Sequence, residues 1–518
     1  MGASAAVSCR KVAMRWLLAV AVVSPFASFG RNRVMRKEKH LGQIYTPAYL
    51  VEDILDCVGY TAGGDILERH VIDNSCGDGA FLEEIVRRYA AAYSARRGKR
   101  RSLASHLSEY VHGVEIDAQA HAACLERLNA VALELGLGEV AWDVRKADTL
   151  KTRDYDGHMD FVVGNPPYVR VHNLAENFDE VKSFGFSDGG MTDLYLVFYE
   201  VGLKMLNGTG RLCYIAPSSW INSLAGRRMR AHVRDNHCLL GIVDLEHFQP
   251  FKATAYTAIV SLCRHGGGAA FDYGVYEGPH RIRPVDRLGY DEAFFAGALY
   301  LGSRKTLAVH RAILEADVPK HVCVKNGFAT LADDVFIADD FPFNECVIPV
   351  LKASTGKWRK AFFPYDKDGR PMARKKVFEN KAISQYLRCN KRQLLKGRRE
   401  ADAQGWYLYG RTQALKDVAV EKYAVNTCVR DVKSIKFNRV PAGAGVYSGL
   451  YILTAVDESV LREVLLSGAF VDFVRALKKY KSGGYYTFSS RDLERYLNFM
   501  IHRRLVPGAK MRQGELGL

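Results

Sequence analysis

Val71-Ile72-Asp73-Asn74-Ser75-Cys76-Gly77-Asp78-Gly79-Ala80-Phe81-Leu82 is a β-branched run that breaks into a glycine-rich turn and resumes as an apolar helical pattern. The sequence predicts a short strand over His70–Asp73 and a helix from Gly79 to about Ala95. Glycines in such a turn bring backbone close to a ligand. The acids Asp73 and Asp78 suit a cationic ligand, a sulfonium or ammonium, better than a pyrophosphate. One turn of this kind is a weak signal by itself. The same strand–turn–helix rhythm repeats on both sides of it. Strands are expected at Val111–Glu115, Val140–Lys146, Asp160–Val163, Arg211–Ile215, Gly241–Asp244 and Tyr256–Leu262. Helices are expected over about Leu50–Val58, Ala118–Leu135 and Thr192–Leu206. This alternation implies an α/β fold, a largely parallel sheet covered on both faces, with ligands bound outside the carboxyl ends of its strands.

Several strand ends carry chemistry. Glu115, in Val114-Glu115-Ile116-Asp117, can accept two ribose hydroxyls, and Asp148, in Lys146-Ala147-Asp148-Thr149-Leu150, can accept an adenine amino group. Each alone is a commonplace surface acid. Phe161-Val162-Val163-Gly164 runs into Asn165-Pro166-Pro167-Tyr168. Two consecutive prolines end strand pairing and remove two donors. The Asn165 side-chain oxygen and the Pro166 carbonyl remain as acceptors, beside the flat ring of Tyr168, a set that suits the amino group of a planar substrate such as adenine. Asn-Pro is also ordinary turn chemistry. Upstream, Thr46-Pro47 reads as a helix start, with Thr46 as cap and Pro47 in the first turn.

Composition sets the wider frame. The 518 residues are 48% hydrophobic, with a formal net charge of +16 and a pI near 9.2, enough for two or three domains. Residues 351–400 hold 16 Lys+Arg against four acids, a local balance of +12 that favours a polyanion partner over a mixed solvated surface. The eleven cysteines show no Cys-x-x-Cys pair and no metal-ligand spacing, so a reducing, cytoplasmic setting is expected, with no metal. Residues 1–34 have the shape of a secretory signal, too short for a membrane span. They are read as an upstream extension that is non-native or disordered, since Met35 makes a natural beginning for the motifs that follow.

In order and spacing these motifs resemble a gamma-type DNA adenine-N6 methyltransferase, similar to the Eco57I and TaqI modification enzymes, from about Gly42 to Leu262 and more loosely beyond. The resemblance implies a Rossmann-like S-adenosylmethionine-dependent methyltransferase sheet plus a C-terminal mixed α+β target-recognition domain. It implies a catalytic domain over residues 35–268, a connector over 269–318 and a specificity domain over 319–518. The cofactor site would be Thr46, Asp73, Ser75, Cys76, Gly77, Asp78, Gly79, Glu115, Ile116, Asp148 and Thr149. The catalytic motif would be Asn165, Pro166, Pro167 and Tyr168. In Phe248–Thr257 such enzymes carry an aromatic that stacks on the extruded adenine. The spacing to Thr257-Ala258 favours Phe251, with Tyr256 the alternate and simple packing of Phe248 or Phe251 on the sheet edge the plain reading. Gly327–Asp333, Tyr409–Gln413 and Ser482–Ser489 resemble specificity-domain segments, making Arg411, Gln413, Tyr485 and Tyr486 candidate DNA contacts. Val171–Met191 is a candidate lid.

The expected partner is double-stranded DNA, with a separately encoded restriction endonuclease as a second candidate. No fused nuclease is expected ahead of Gly42, no membrane association is expected, and the protein is expected to be a monomer. Rival substrates are RNA adenine and a protein glutamine N5. The basic block and the long C-terminal module argue against the glutamine.

Overall fold

A computed structural model describes residues 45–96, 100–169, 181–187, 192–251, 255–396 and 405–505. The expectations for residues 1–34 and for most of the 171–191 loop lie outside these. The chain divides into two compact units. The first holds the described residues up to Val243 together with Gln249–Gly268 and Glu277–Arg281. The second holds Asp244–Phe248, Ala269–Tyr276 and the residues from Ile282 onward.

In the first unit the strands are β1 (Val71–Asp73), β2 (Val111–Glu115), β3 (Asp143–Lys146), β4 (Met159–Gly164), β5 (Leu206–Pro217), β6 (Leu239–Asp244) and β7 (Thr257–Cys263), in the order β3-β2-β1-β4-β5-β7-β6. β1 pairs in parallel with β2 and β4, β2 with β3, and β4 with β5. β7 is antiparallel to β5, with Ile215 opposite Ile259. β1 and β2 are buried along their whole length, as β-branched strands covered on both faces should be. The helices are α1 (Ala48–Val58), α2 (Ala80–Ala95), α3 (Arg100–Tyr110), α4 (Ala118–Glu134), α5 (Leu194–Met205) and α6 (Arg227–Asp235). The chain steps outward from β1 through β2 to β3 and then returns to the other side at β4. The switch point therefore lies between β1 and β4, where a ligand crevice opens at the strands' carboxyl ends.

Local chemistry differs from expectation at the start of α1. Pro47, not Thr46, occupies the cap of α1, and no side chain caps that helix. At α4, Asp117 is the cap, accepting from the N–H groups of Gln119 and Ala120 at 2.9 and 3.1 Å. The strand expected from Val140 begins only at Asp143, because a turn puts the Trp142 N–H on the Val140 carbonyl.

The second unit is mixed α+β, as expected. One antiparallel sheet joins Val322–Asn326, Leu450–Thr454, Lys422–Val425 and Phe437–Val440. It shares a core with helices Arg304–Glu315, Glu458–Leu465, Gly468–Ala476 and Ser490–Leu505. A second core, rich in Phe and Tyr, joins another sheet (Ile337–Ala338, Lys357–Phe362, Val347–Lys352, Gly445–Tyr447) to short basic helices over Arg374–Leu395. Residues 269–318 are not a connector. They form strands Ala270–Gly278 and Arg281–Gly289 and the helix Arg304–Glu315, most of which fold into the second unit. The glycine run 266–268 does mark the end of the first unit's last long segment. No helix among the described residues is long and apolar enough to cross a membrane.

Candidate cofactor and amino-group site

The turn after β1 is built from two left-handed glycines, Gly77 (φ 54°) and Gly79 (φ 88°). Side chains other than glycine's disfavour this backbone. At Gly79 a Cβ would also stand 2.8 Å from Cys124 Sγ, so α2 can start this close to α4 only with glycine there. Gly77 N–H donates to Glu115 Oε2 at 2.9 Å, tying the turn to the end of β2. Glu115 Oε1 accepts the Asp117 N–H at 2.7 Å. Thr149 Oγ1 donates to the Asn74 carbonyl at 2.5 Å, which fastens the segment after β3 to the same turn. Three strand ends are thereby locked around one opening.

That opening is a cleft lined by Thr46, Asp73, Ser75, Cys76, Gly77, Asp78, Glu115, Ile116, Asp148 and Thr149, together with Asn165 and Pro167. The structure thus gathers most residues expected at the cofactor and catalytic positions. Gly79, Pro166 and Tyr168 are not part of the lining. Gly79 serves as the start of α2, Pro166 is buried, and Tyr168 turns its hydroxyl to the Ile215 carbonyl at 3.3 Å. Residues that the sequence reading missed complete the walls: Tyr45, Asn74, Phe81, Leu150, Leu194 and Phe198. Leu194 and Phe198 sit one helical turn apart on α5, so a face of that helix reaches the cleft.

The acids differ in their surroundings. Asp73 is 1% exposed, and burial pushes its carboxyl up to about 8; the Ser75 N–H at 3.0 Å opposes the shift and the neighbouring acids Glu115 and Asp78 add to it. Asp78 instead pairs with Arg127 at 2.6 Å. Of the two acids expected to meet a cationic ligand, Asp78 is thus already served by a protein cation.

Asn165 follows β4, and its side-chain NH2 donates to Thr46 Oγ1 at 3.1 Å. This bond replaces the capping role expected of Thr46 and fixes the amide so that its carbonyl oxygen points the opposite way. Gly164, just before it, has φ 147°, a conformation essentially reserved for glycine, and a Cβ there would stand 2.7 Å from Asp73 Oδ1. A glycine ending a strand is the sequence signal for this close approach. Gly164→Ala should cost about 1–3 kcal/mol of stability from backbone strain alone. It should also displace Asp73, so that denaturant unfolding and cofactor titration both register the change. A variant that is destabilised but titrates normally would separate Gly164 from the cleft.

Of the aromatics, the Phe251 ring meets Tyr168 edge-on, centroids 6.3 Å apart at 78°, and is 8% exposed. Tyr256 lies just before β7 and its carbonyl accepts the Ser218 N–H at 2.9 Å. In the second unit the four candidates part company. Arg411 is exposed. Gln413 spends its amide on the Gly327 carbonyl at 2.6 Å. Tyr485 lies beneath the Arg430 guanidinium at 5.2 Å. Tyr486 is a core residue, its ring packed against His247 and Tyr480, so it is not available as a groove contact.

Over 230 residues the chain is 31% identical to the Type II methyltransferase M.BstVI of Geobacillus stearothermophilus, covering 42% of this chain and 41% of that protein. It is 30% identical over 236 residues to the Type II methyltransferase M.PaeR7I of Pseudomonas aeruginosa, covering 44% and 41%. The chain thus matches about two fifths of the length of these relatives. Among solved structures, the Type IIL restriction-modification enzyme MmeI, determined in complex with DNA, shares the fold with a TM-score of 0.60 at 12% identity, covering 86% of this chain and 63% of that one. Residues 112–251 match the family described as Eco57I restriction-modification methylase.

Proposed function

We propose that this protein is a DNA methyltransferase that transfers the methyl group of S-adenosylmethionine to N6 of an adenine flipped out of duplex DNA, as the modification half of a restriction-modification system. The observation that carries the reading is the Thr46-fixed amide of Asn165 lining the same cleft as the buried carboxylate of Asp73. An acceptor for an amino group and a receptor for a cation share one opening.

The residues fit S-adenosylmethionine. Asp73 is a buried acid with acids rather than bases around it, and a cationic ligand relieves that imbalance. Glu115 and Asp148 line the same cleft as acceptors for ribose hydroxyls and an adenine amino group, and Phe81 and Phe198 supply apolar wall. When bound, the cofactor supplies an activated methyl on a sulfonium. The target amine is a poor nucleophile because its lone pair is delocalised into the purine. By accepting its two hydrogens, Asn165 Oδ1 and the Pro166 carbonyl draw it toward tetrahedral geometry and localise the lone pair. The rest is positioning and oriented dipoles, and no strong base is needed because the amine becomes acidic once methylated.

Flipping the base costs a few kcal/mol, and stacking offsets about 1–3 kcal/mol of it per base. Tyr168 and Phe251, whose rings meet edge-on, are the proposed stacking pair. Phe251→Ala should weaken capture of the flipped base, read as a several-fold loss of 2-aminopurine fluorescence at the target position. A loss seen only in Tyr256→Ala would move the stacking role to Tyr256.

The reading is tested by incubating the purified protein with tritiated S-adenosylmethionine and duplex DNA of varied sequence, then digesting to nucleosides. Label in N6-methyladenine supports it; label confined to RNA or protein overturns it. Single-molecule sequencing of DNA from expressing cells gives the modified base and its context together.

A further inference from the structure

The segment leading into Phe251 is held by an ion-pair cluster whose contacts all lie within the second unit. Asp244, 1% exposed, ends β6. Glu246 follows with a left-handed backbone (φ 45°), its N–H donating to Asp244 Oδ1 at 3.0 Å. Lys478 also has a left-handed backbone (φ 52°) and places its ammonium 2.7 Å from Glu246 and 3.6 Å from Asp244. The Tyr480 hydroxyl donates to Asp244. Tyr273 lies under the ammonium at 5.6 Å, and the His247 ring packs edge-on between Tyr480 and Tyr486. Phe248 closes the turn, its N–H on the Leu245 carbonyl at 2.8 Å and its ring against Tyr276.

Side chains other than glycine's adopt a left-handed backbone only where the surroundings over-determine it. Here both partners of one ion pair do so, which marks the turn as a fixed geometry. Three residues past Phe248 the chain delivers Phe251, the ring that meets Tyr168. We propose that Lys478, through Glu246 and Asp244, is a positioning residue for base capture: it anchors the turn from which the chain runs directly to Phe251. The inference rests on the adenine reading given above.

The test uses the full-length protein, with 2-aminopurine at the position that sequencing identifies as methylated. Lys478→Met removes the charge at similar length, and Glu246→Gln weakens the same clamp while leaving Lys478 its Asp244 partner. Both should lower kcat, about 10- to 100-fold for Lys478→Met as expected for a misplaced positioning element, and both should dim 2-aminopurine fluorescence. Dissociation constants for DNA and cofactor should stay within about twofold of the parent. If Lys478→Met does not fold, Glu246→Gln decides. Variants that are less stable yet flip and turn over normally overturn the positioning role, as do variants indistinguishable from the parent. A parent protein that methylates no adenine removes the function and this inference together.

Discussion

Asn165→Ala should all but abolish the proposed methyl transfer while leaving cofactor and DNA binding largely intact. The substitution deletes one of the two proposed acceptors for the amine hydrogens and with it the 3.1 Å contact to Thr46 that helps to orient it. Removing one preorganised dipole from such a site costs about 10²–10³-fold in kcat. The loss should be confined to the chemical step because the residues proposed to meet the cation, Asp73, and the sugar and base ends of the cofactor, Glu115 and Asp148, follow other strands. Single-turnover labelling with tritiated cofactor measures the first effect and equilibrium titration the second. Thr46→Val, which keeps the shape and removes the hydroxyl, should give a smaller loss of the same kind, since the amide then loses one anchor but not its oxygen. Full turnover by Asn165→Ala would place the acceptor elsewhere.

How far this site was legible in the sequence follows from the range of the interactions involved. Val111–Glu115 is a strand in both readings because its β-branched, fully buried pattern is local. Asp73, Glu115 and Asp148 were found because a parallel sheet puts successive strand ends at one crevice. In the first unit two helices were missed, Arg100–Tyr110 and Arg227–Asp235, both short and so rich in polar side chains that few apolar positions mark them. The insertion of β7 antiparallel beside β5 was equally silent, since pairing partners more than 40 residues apart leave no mark in either strand.

The errors have the same origin. Thr46 looked like a helix cap because Thr-Pro before an amphipathic run usually is one, yet its hydroxyl serves a residue 119 positions away. Tyr485 and Tyr486 looked alike in sequence, but alternation along a strand sends one to the surface and the other into the core. The stretch 269–318 looked like a connector after three glycines, although its strand Ala270–Gly278 is mostly buried.

Asp73 should make cofactor affinity depend on pH, and Asp73→Asn should abolish that dependence along with most of the binding. Its carboxyl is held up at about 8 in the ligand-free protein, so at neutral pH it is mostly protonated. A sulfonium or ammonium favours the carboxylate, and binding must therefore release the proton. The sign is fixed by linkage: affinity rises as pH climbs toward about 8, by up to tenfold per unit, and levels off above it, where no proton remains to be expelled. The cofactor has an amine that titrates on its own account, so the informative quantity is the ratio of parent to Asp73→Asn affinity at each pH, in which the ligand's own titration cancels. Calorimetry in two buffers of different ionisation enthalpy counts the released proton directly. A ratio that stays flat between pH 6 and pH 8 would mean that Asp73 meets no positive charge, and the cleft would then lose its claim to a sulfonium donor, because Asp78, the other acid expected to meet the cation, already pairs with Arg127.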